Sequence, residues 1–382
     1  MFKSLTLALA LFTSSALAEI SFPSLPKTDN IPAEFKAIAK QRKVTNLLLS
    51  FLDFHISEEN YTQLKASGFK SSNLLETVAD LKTYGYDVSV PSSAEEYRSK
   101  VFPMVMEMHA KAGYYGVQIP VGGVAFDENG MITENAIKLL KQQKEIVTKA
   151  GLNISAVGGS WDKDWTKCIK PQIQATNILG SPYLYGPFAT PFLFFPENAN
   201  SGDAAMDWVD GQIERFSNLL TNEIGPFAAK YDVTLCEEPL QRFERMPIHL
   251  NEATQIALKA KTKQFKVMVD MCHEFTDGAG PKKFKELIQT LHKADKLHGI
   301  HVSPIHRGKL YESWFNQQYF NDFFGAFFEV GYTGEVSIET FDATAPVAVP
   351  AKVNRRKFKN PIGVMINQLV YTADKLSKVP VK

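Results

Sequence analysis

Apolar and polar positions follow one another along this chain in a repeating order of short strand-like and longer helix-like segments. Alternating apolar residues are typical of β-strands, whereas apolar residues three and four positions apart are typical of amphipathic helices. Several helical segments end at a glycine, as at Gly113, Gly151 and Gly180. The predicted strands are residues 86–90, 114–120, 153–158, 183–186, 233–238, 266–270, 299–301 and 335–339. The predicted helices are residues 94–112, 133–150, 165–179, 208–230, 252–261, 281–293, 320–330 and 361–377.

Strands that alternate with helices predict parallel βαβ units, and eight such strands close a (β/α)8 TIM barrel. We therefore predict an α/β fold, with the barrel over residues 84–382 and a helical N-terminal extension over residues 19–83. Helices are predicted in the extension at residues 34–42, 57–65 and 73–82. Residues 44–54 are apolar and compatible with either a strand or a buried helix. An alternative count makes residues 44–54 barrel strand 1 and displaces another segment.

The first 18 residues have the three parts of a secretory signal peptide. Lys3 supplies the positive charge, residues 5–12 are apolar, and Ala16-Leu17-Ala18 is a small-residue cleavage site. The apolar run is far shorter than the roughly 20 residues that a membrane-spanning helix needs. We therefore expect cleavage after Ala18 and an exported protein, periplasmic or secreted, with no membrane association after cleavage.

The charge of the chain is balanced, with 42 Lys and Arg against 41 Asp and Glu in 382 residues. Such a balance gives no electrostatic footprint for a polyanion, so nucleic acid is not an expected partner. The apolar share of 45% is sufficient for a large hydrophobic core.

Four of the predicted strands end in a side chain that can bind a metal ion. These side chains are Glu238, Asp270, His301 and Glu339. Alternate residues of a barrel strand face the axis, and apolar Val233 and Leu235 suit the helix layer, which turns Glu238 inward. The same parity holds for the other three, so all four are expected at the C-terminal face of the barrel, where barrel enzymes hold their sites. Three carboxylates and one imidazole suit Mn²⁺, Mg²⁺ or Co²⁺, and we predict one divalent ion, with Mn²⁺ as the first choice.

Short motifs accompany these candidate ligands. Residues 238–244 read Glu-Pro-Leu-Gln-Arg-Phe-Glu, His273 follows Asp270 by three residues, Arg307 follows His301 by six, and Glu339 begins Glu-Thr-Phe. With these motifs the chain resembles the xylose isomerase-like superfamily of sugar isomerases and epimerases, and within it the ketose 3-epimerases of the D-tagatose/D-psicose type. The resemblance covers roughly residues 110–345.

The resemblance implies a role for each matching residue. Glu238, Asp270, His301 and Glu339 would hold the metal ion, and Glu244, His273 and Arg307 would contact oxygens of a small sugar substrate. Glu238 and Glu339 would also form the acid/base pair that moves a proton next to a ketose carbonyl through an enediolate. The metal ion would act as a Lewis acid. A homo-oligomer is compatible with this assignment. After Arg307 the chain lacks the glycine pair of the epimerases, so the resemblance does not specify the sugar.

Three other functions remain compatible with the sequence. One is another enediolate enzyme of the superfamily, such as a hydroxypyruvate isomerase-like or inosose dehydratase-like protein. Another is a non-catalytic, exported sugar-binding barrel. The third, an endonuclease IV-like nuclease, is less compatible, because its three-metal cluster uses histidines from early strands and residues 114–120 and 153–159 contain none.

Overall fold

The computed structural model describes residues 28–380 apart from eight gaps. These gaps are residues 123, 160–163, 190–201, 241–248, 278–279, 305–306, 313–315 and 342–357. Glu244, the predicted substrate contact, lies outside the described residues, as does the predicted signal peptide.

Eight parallel strands close into a barrel in chain order, and the last strand pairs with the first. The strands are β1 (Val44–Leu47), β2 (Gly116–Pro120), β3 (Asn153–Gly158), β4 (Tyr183–Gly186), β5 (Thr234–Glu237), β6 (Phe265–Asp270), β7 (Leu297–Val302) and β8 (Val336–Ile338). The predicted (β/α)8 TIM barrel is therefore confirmed.

The prediction that barrel strand 1 lies at residues 86–90 is wrong. The first strand is β1, which pairs with both β2 and β8, whereas residues 86–90 form no strand. The alternating pattern at residues 86–90 comes from an extended segment on the helix layer. In this segment Val88 is buried in the main hydrophobic cluster, and the Tyr86 ring lies beside the Lys111 ammonium group. The barrel therefore begins ahead of residue 84, and the alternative count was the right one.

Helices form the outer layer of the barrel. They are α1 (Ala33–Gln41), α2 (Glu58–Ala66), α3 (Leu74–Thr83), α4 (Ala94–Glu96), α5 (Phe102–Ala112), α6 (Glu134–Lys149), α7 (Ile169–Leu179), α8 (Gly202–Leu219), α9 (Gly225–Lys230), α10 (Leu250–Lys259), α11 (Met271–Asp277), α12 (Gly280–Lys293), α13 (Gln317–Glu329) and α14 (Pro361–Ser377). Of the three helices predicted before residue 84, α1 precedes β1, whereas α2 and α3 lie between β1 and β2. In the described part of the chain, no helix combines the length and apolar character needed to cross a membrane.

The hydrophobic core is divided by the strands into an outer and an inner part. The outer cluster, between strands and helices, includes Val233, Leu235 and Val267. A small separate cluster contains Ala156, Tyr185, Cys236 and Met268, which are the alternate residues of their strands and face the barrel axis. The predicted inward and outward parity of β5 and β6 is therefore confirmed.

The segment between β1 and β2 is attached to the C-terminal part of the chain by several hydrogen bonds. The Ser50 hydroxyl donates a hydrogen bond of 3.0 Å to the backbone oxygen of Thr340, the residue after Glu339. The Asp80 carboxylate in α3 accepts a hydrogen bond of 2.9 Å from the Gly363 N–H in the first turn of α14. This segment therefore supports both the end of β8 and the helix that follows.

Candidate metal centre

The structure brings together the four residues that the sequence predicts as metal ligands. Glu238, Asp270, His301 and Glu339 are all buried, and one ligand atom from each lies within 4.8 Å of the others. The strand register produces this convergence, because Asp270 pairs directly with His301 across β6 and β7. Beyond the end of β8, the Glu339 N–H donates a hydrogen bond of 3.0 Å to the Val302 backbone oxygen, which aligns Glu339 with the end of β7.

The Asp270 carboxylate is fixed by the elements on either side of it. Its Oδ1 atom accepts a hydrogen bond of 2.8 Å from the Cys272 N–H at the start of α11. The same atom accepts a hydrogen bond of 2.6 Å from the hydroxyl of Ser303, which follows β7. Because the strand-to-helix turn and β7 both hold Oδ1, the Asp270 side chain has a defined orientation.

The two ring nitrogens of His301 face different surroundings. Its Nδ1 atom lies 3.1 Å from Glu339 Oε2 and 3.7 Å from Glu238 Oε1. Its Nε2 atom lies 2.9 Å from Oε1 of Gln118 on β2. The Nδ1 atom is therefore the ring nitrogen that belongs to the candidate centre.

Arg307 and His273, two of the predicted substrate contacts, lie beside this cluster. Arg307 Nη1 forms ion pairs with the carboxylates of Asp270 and Glu339, and donates a hydrogen bond of 2.8 Å to Ser303 Oγ. Arg307 Nη2 lies 2.8 Å from His273 Nε2. The Arg307 side chain is buried, so its guanidinium group is part of the centre itself.

The backbone around Arg307 holds the loop after β7 against the end of β8. Arg307 has a φ of 55°, a conformation uncommon for residues other than glycine. Its N–H donates to the Pro304 oxygen and its own oxygen accepts from the Phe341 N–H, both at 2.8 Å. These two bonds keep the guanidinium group pointing towards the carboxylates.

Burial and nearby charges raise the pKa of some side chains in the centre and lower the pKa of others. Burial, together with the charge of Glu339, raises the pKa of Glu238. Burial also acts against the charged form of Glu339, but the charges of Arg307 and His301 outweigh it and hold the pKa of Glu339 well below its usual value. Burial opposes the charged His301 ring, yet the carboxylates of Glu339 and Glu238 raise the pKa of His301 to about 10. Burial lowers the pKa of His273 to about 4.

The donor set fits a hard divalent cation. Three carboxylates and an imidazole nitrogen are the ligands that Mn²⁺ and Mg²⁺ accept in proteins. Glu238 Oε1 is buried and accepts no hydrogen bond from the residues that the structure describes. A buried carboxylate oxygen without a donor is costly, and a cation at the centre of the four residues would satisfy it.

Three further residues of the centre were missed by the sequence reasoning. They are Gln118, Ser303 and Glu335, whose carboxylate accepts a hydrogen bond of 3.1 Å from Gln118 Nε2. The parity that selected the ligands also points to Ser303 and Glu335, whereas Gln118 lies on β2, which carries no predicted ligand. Ser303 lies two residues after His301, and Glu335 lies four residues before Glu339. On these strands the inward positions before or after the metal-competent residue also carry polar side chains.

Comparison with known protein families assigns the chain to one of them. The family described as the xylose isomerase-like TIM barrel matches residues 106–359. The chain belongs to this family. Comparison with curated protein sequences gives no significant match.

Solved structures of sugar isomerases and epimerases are similar to this chain in fold at low sequence identity. A candidate sugar phosphate isomerase/epimerase from Anabaena variabilis is 22% identical, with a TM-score of 0.62 over 75% of this chain and 94% of that chain. D-psicose 3-epimerase from Clostridium cellulolyticum H10 is 17% identical, with a TM-score of 0.55 over 73% and 94% of the two chains. An L-ribulose 3-epimerase is 16% identical, with a TM-score of 0.53 over 74% and 92%. At these identities the likeness is one of fold.

Proposed function

We propose that this chain is a divalent-metal-dependent sugar isomerase or epimerase that moves a proton next to a ketose carbonyl through an enediolate. The observation that carries the proposal is the set of four ligand atoms within 4.8 Å of one another at the C-terminal ends of β5 to β8. Barrel enzymes hold their active sites at this face. The similar folds of D-psicose 3-epimerase and L-ribulose 3-epimerase support a sugar as the substrate.

In this proposal Glu238 and Glu339 form the acid/base pair. Mn²⁺, or alternatively Mg²⁺ or Co²⁺, held by Glu238, Asp270, His301 and Glu339, would stabilise the negative charge that develops on the carbonyl oxygen of the sugar. Epimerisation needs one carboxylate on each face of the planar intermediate, one to remove a proton and one to return it. Glu238 directly follows β5 and Glu339 directly follows β8, so they approach the centre from the ends of different strands of the barrel.

His273 and Arg307 are proposed to orient the sugar. Their Nε2 and Nη2 atoms lie 2.8 Å apart at the edge of the cluster, so a substrate oxygen that contacts one of them is within reach of the other. A guanidinium group presents several N–H donors in a fixed plane, which suits the adjacent oxygens of a ketose. Glu244 is proposed as a third substrate contact on the basis of its motif position alone.

Hydrogen exchange with solvent tests the proposed chemistry. The chelator-treated protein is incubated with free ketoses in deuterated water, with and without added Mn²⁺, and deuterium in the sugar is measured by mass spectrometry. We expect incorporation only with the metal, and we expect Glu339→Gln to reduce it about 10²- to 10⁴-fold. Glu145→Gln, at an exposed carboxylate of α6, is the matched control. Incorporation that is unaffected by the chelator would disprove the metal-dependent function.

The products distinguish the remaining enediolate chemistries. A product that is an epimer or an isomer of the substrate, with the same mass once the incorporated deuterium is subtracted, supports the proposal. A product lighter by one water would instead assign a dehydratase of the same superfamily. Bound metal without deuterium in any sugar would favour the non-catalytic sugar-binding barrel.

We also propose that the chain is exported. Lys3, the apolar residues 5–12 and Ala16-Leu17-Ala18 support this proposal, because together they have the pattern of a cleaved signal peptide. Intact-mass measurement of the protein recovered from its native host should show a mature chain that starts at Glu19. A mass that retains residues 1–18 would contradict export by this route.

A further inference from the structure

A pair of polar side chains lies inside the barrel, next to the candidate metal centre. Gln118 on β2 and Glu335, the residue before β8, are both buried, and they are joined by a hydrogen bond of 3.1 Å. Ala156, the register partner of Gln118 across β2 and β3, belongs to the small apolar cluster on the barrel axis. Barrel interiors are normally packed with apolar layers, and burying an amide and a carboxyl group is costly unless both are hydrogen-bonded. A polar pair at this position therefore calls for a role.

The contacts of Gln118 define which end of its amide faces His301. Gln118 Nε2 donates to Glu335 Oε1, so the amide nitrogen faces away from the histidine. Gln118 Oε1 lies 2.9 Å from His301 Nε2 and can only accept a hydrogen bond. The His301 Nε2 atom must then carry a proton. A cation that replaces the proton between Nδ1 and the Glu339 carboxylate would therefore bind the Nδ1 lone pair.

The His301 ring is also held from a second side. The ring of Tyr185 lies at a centroid distance of 5.8 Å from the His301 ring. Tyr185 can occupy this place because residue 299 is a glycine with a φ of 95°, and a Cβ atom there would lie 2.7 Å from the Tyr185 ring. The packing limits rotation of the imidazole, and Gln118 selects which nitrogen is protonated.

We propose that Gln118, held by Glu335, is a positioning residue that orients His301 and fixes its tautomer so that Nδ1 binds a divalent cation. This inference rests on the proposed metal-dependent function. Histidine ligands of metals generally donate their other N–H group to a neighbouring acceptor, and loss of that acceptor typically weakens metal binding by about 10- to 100-fold. Gln118 is here the acceptor, and Glu335 determines how its amide is turned.

Titration calorimetry with Mn²⁺ on the chelator-treated full chain tests this role. We expect Gln118→Leu to weaken Mn²⁺ binding by roughly 10- to 100-fold. We expect Glu335→Gln, which keeps an oxygen acceptor for Gln118 Nε2, to remain within about threefold of the wild type, because the amide orientation is preserved. The matched control is Gln143→Leu, which removes another buried glutamine–histidine contact, of 3.0 Å to His55, away from the centre. Wild-type Mn²⁺ affinity in Gln118→Leu would overturn the inference.

A second measurement does not depend on the folding of a variant. In ¹⁵N-labelled wild-type protein loaded with diamagnetic Mg²⁺, the His301 ring should show its N–H signal at Nε2. A ring proton at Nδ1 in the loaded protein would overturn the inference even if Gln118→Leu does not fold. Failure of the wild type to bind either metal would instead remove the proposed function together with this role, whereas metal binding with no effect of Gln118→Leu removes the role alone.

Discussion

Two buried histidines in this chain have opposite protonation behaviour, and the difference comes from their immediate neighbours. His301 faces the carboxylates of Glu238 and Glu339, which raise its pKa to about 10 against the effect of burial. His109 on α5 is fully buried, and desolvation lowers its pKa to about 4. Its Nδ1 atom lies 2.8 Å from the Val105 backbone oxygen and its Nε2 atom 2.9 Å from the Asn46 amide nitrogen. This arrangement suits a neutral ring, with Nδ1 donating and Nε2 accepting.

The neutral state of His109 predicts an acid-dependent loss of stability. An unfolded histidine takes up a proton near pH 6.5, whereas folded His109 remains neutral down to about pH 4. The unfolded state therefore binds more protons in this interval, and the free energy of unfolding falls as the pH decreases, by up to about 3 kcal/mol. We expect His109→Gln, compared with the wild type by urea unfolding at pH 7 and pH 4.5, to show a smaller decline. An equal decline in both proteins would contradict the neutral state of His109.

Arg307 offers a prediction about substrate binding. Its guanidinium group touches Asp270, Glu339, Ser303 and His273, so it lies where oxygens of the sugar are proposed to bind. We expect Arg307→Ala to raise the KM for the ketose roughly tenfold or more, because a hydrogen bond to a charged group contributes about 1.5–3 kcal/mol. Arg307→Lys keeps the charge but loses the fork of donors and should recover only part of the effect. Arg215→Ala, at an exposed arginine of α8, is the control.

Steady-state kinetics and Mn²⁺ titration of the Arg307 variants separate two effects. A raised KM with an unchanged metal affinity assigns Arg307 to the substrate, as proposed. An unchanged KM in Arg307→Ala would contradict that role.

At the scale of the elements, alternation predicted seven of the eight barrel strands but placed strand 1 incorrectly. Residues 86–90 alternate because one side of an extended segment packs on helices, a requirement that is also met outside a sheet. In β1 the polar residue Asn46 interrupts the apolar pattern of a buried strand, and its side chain is hydrogen-bonded to His109 on α5. The hydrogen-bond partner of Asn46 lies 63 residues further along the chain and does not affect the local pattern of apolar residues. Periodicity therefore could not identify β1 as a strand.

The candidate centre was more predictable than the first strand, for a physical reason. Inward parity and the C-terminal end of a strand are both local properties, and they select Glu238, Asp270, His301 and Glu339 without any knowledge of the neighbours. The contacts of Gln118 with His301 and Glu335 join residues 183 and 217 positions apart. Such pairings depend on the barrel register, and sequence spacing alone does not reveal them.

The link between α3 and α14 gives a prediction at the element scale. The residue before α14, Asn360, provides no side-chain cap, and Asp80 of α3 instead accepts a hydrogen bond from the Gly363 N–H. We expect Asp80→Ala to lower the free energy of unfolding by about 1–2 kcal/mol, the usual cost of removing a helix cap. Asp80→Asn keeps an oxygen acceptor at this position and should lose less, which denaturant unfolding of both variants would measure. Equal losses in both variants would show that the cap does not depend on a side-chain oxygen.

At the scale of the whole molecule, the proposed ligands connect distant parts of one barrel. Glu238 and Glu339 are 101 residues apart, and the four ligands come from the ends of four consecutive strands. In an unfolded chain these four side chains would rarely lie close together. A cation that binds all four at once therefore binds the folded barrel and has little affinity for the unfolded chain, so its binding free energy adds to the stability of the fold.

This coupling predicts that Mn²⁺ raises the melting temperature of the chelator-treated protein. At a free Mn²⁺ concentration 100 times the Kd, the stabilisation should be about 2.7 kcal/mol, and it should increase with the logarithm of the metal concentration. Asp270→Asn removes the charge of one ligand while retaining its shape, so its melting temperature should respond much less to Mn²⁺. Differential scanning calorimetry over a series of Mn²⁺ concentrations measures both proteins. If the wild type and Asp270→Asn respond equally, the stabilising ion binds elsewhere, because a site that includes Asp270 must weaken when that carboxylate becomes an amide.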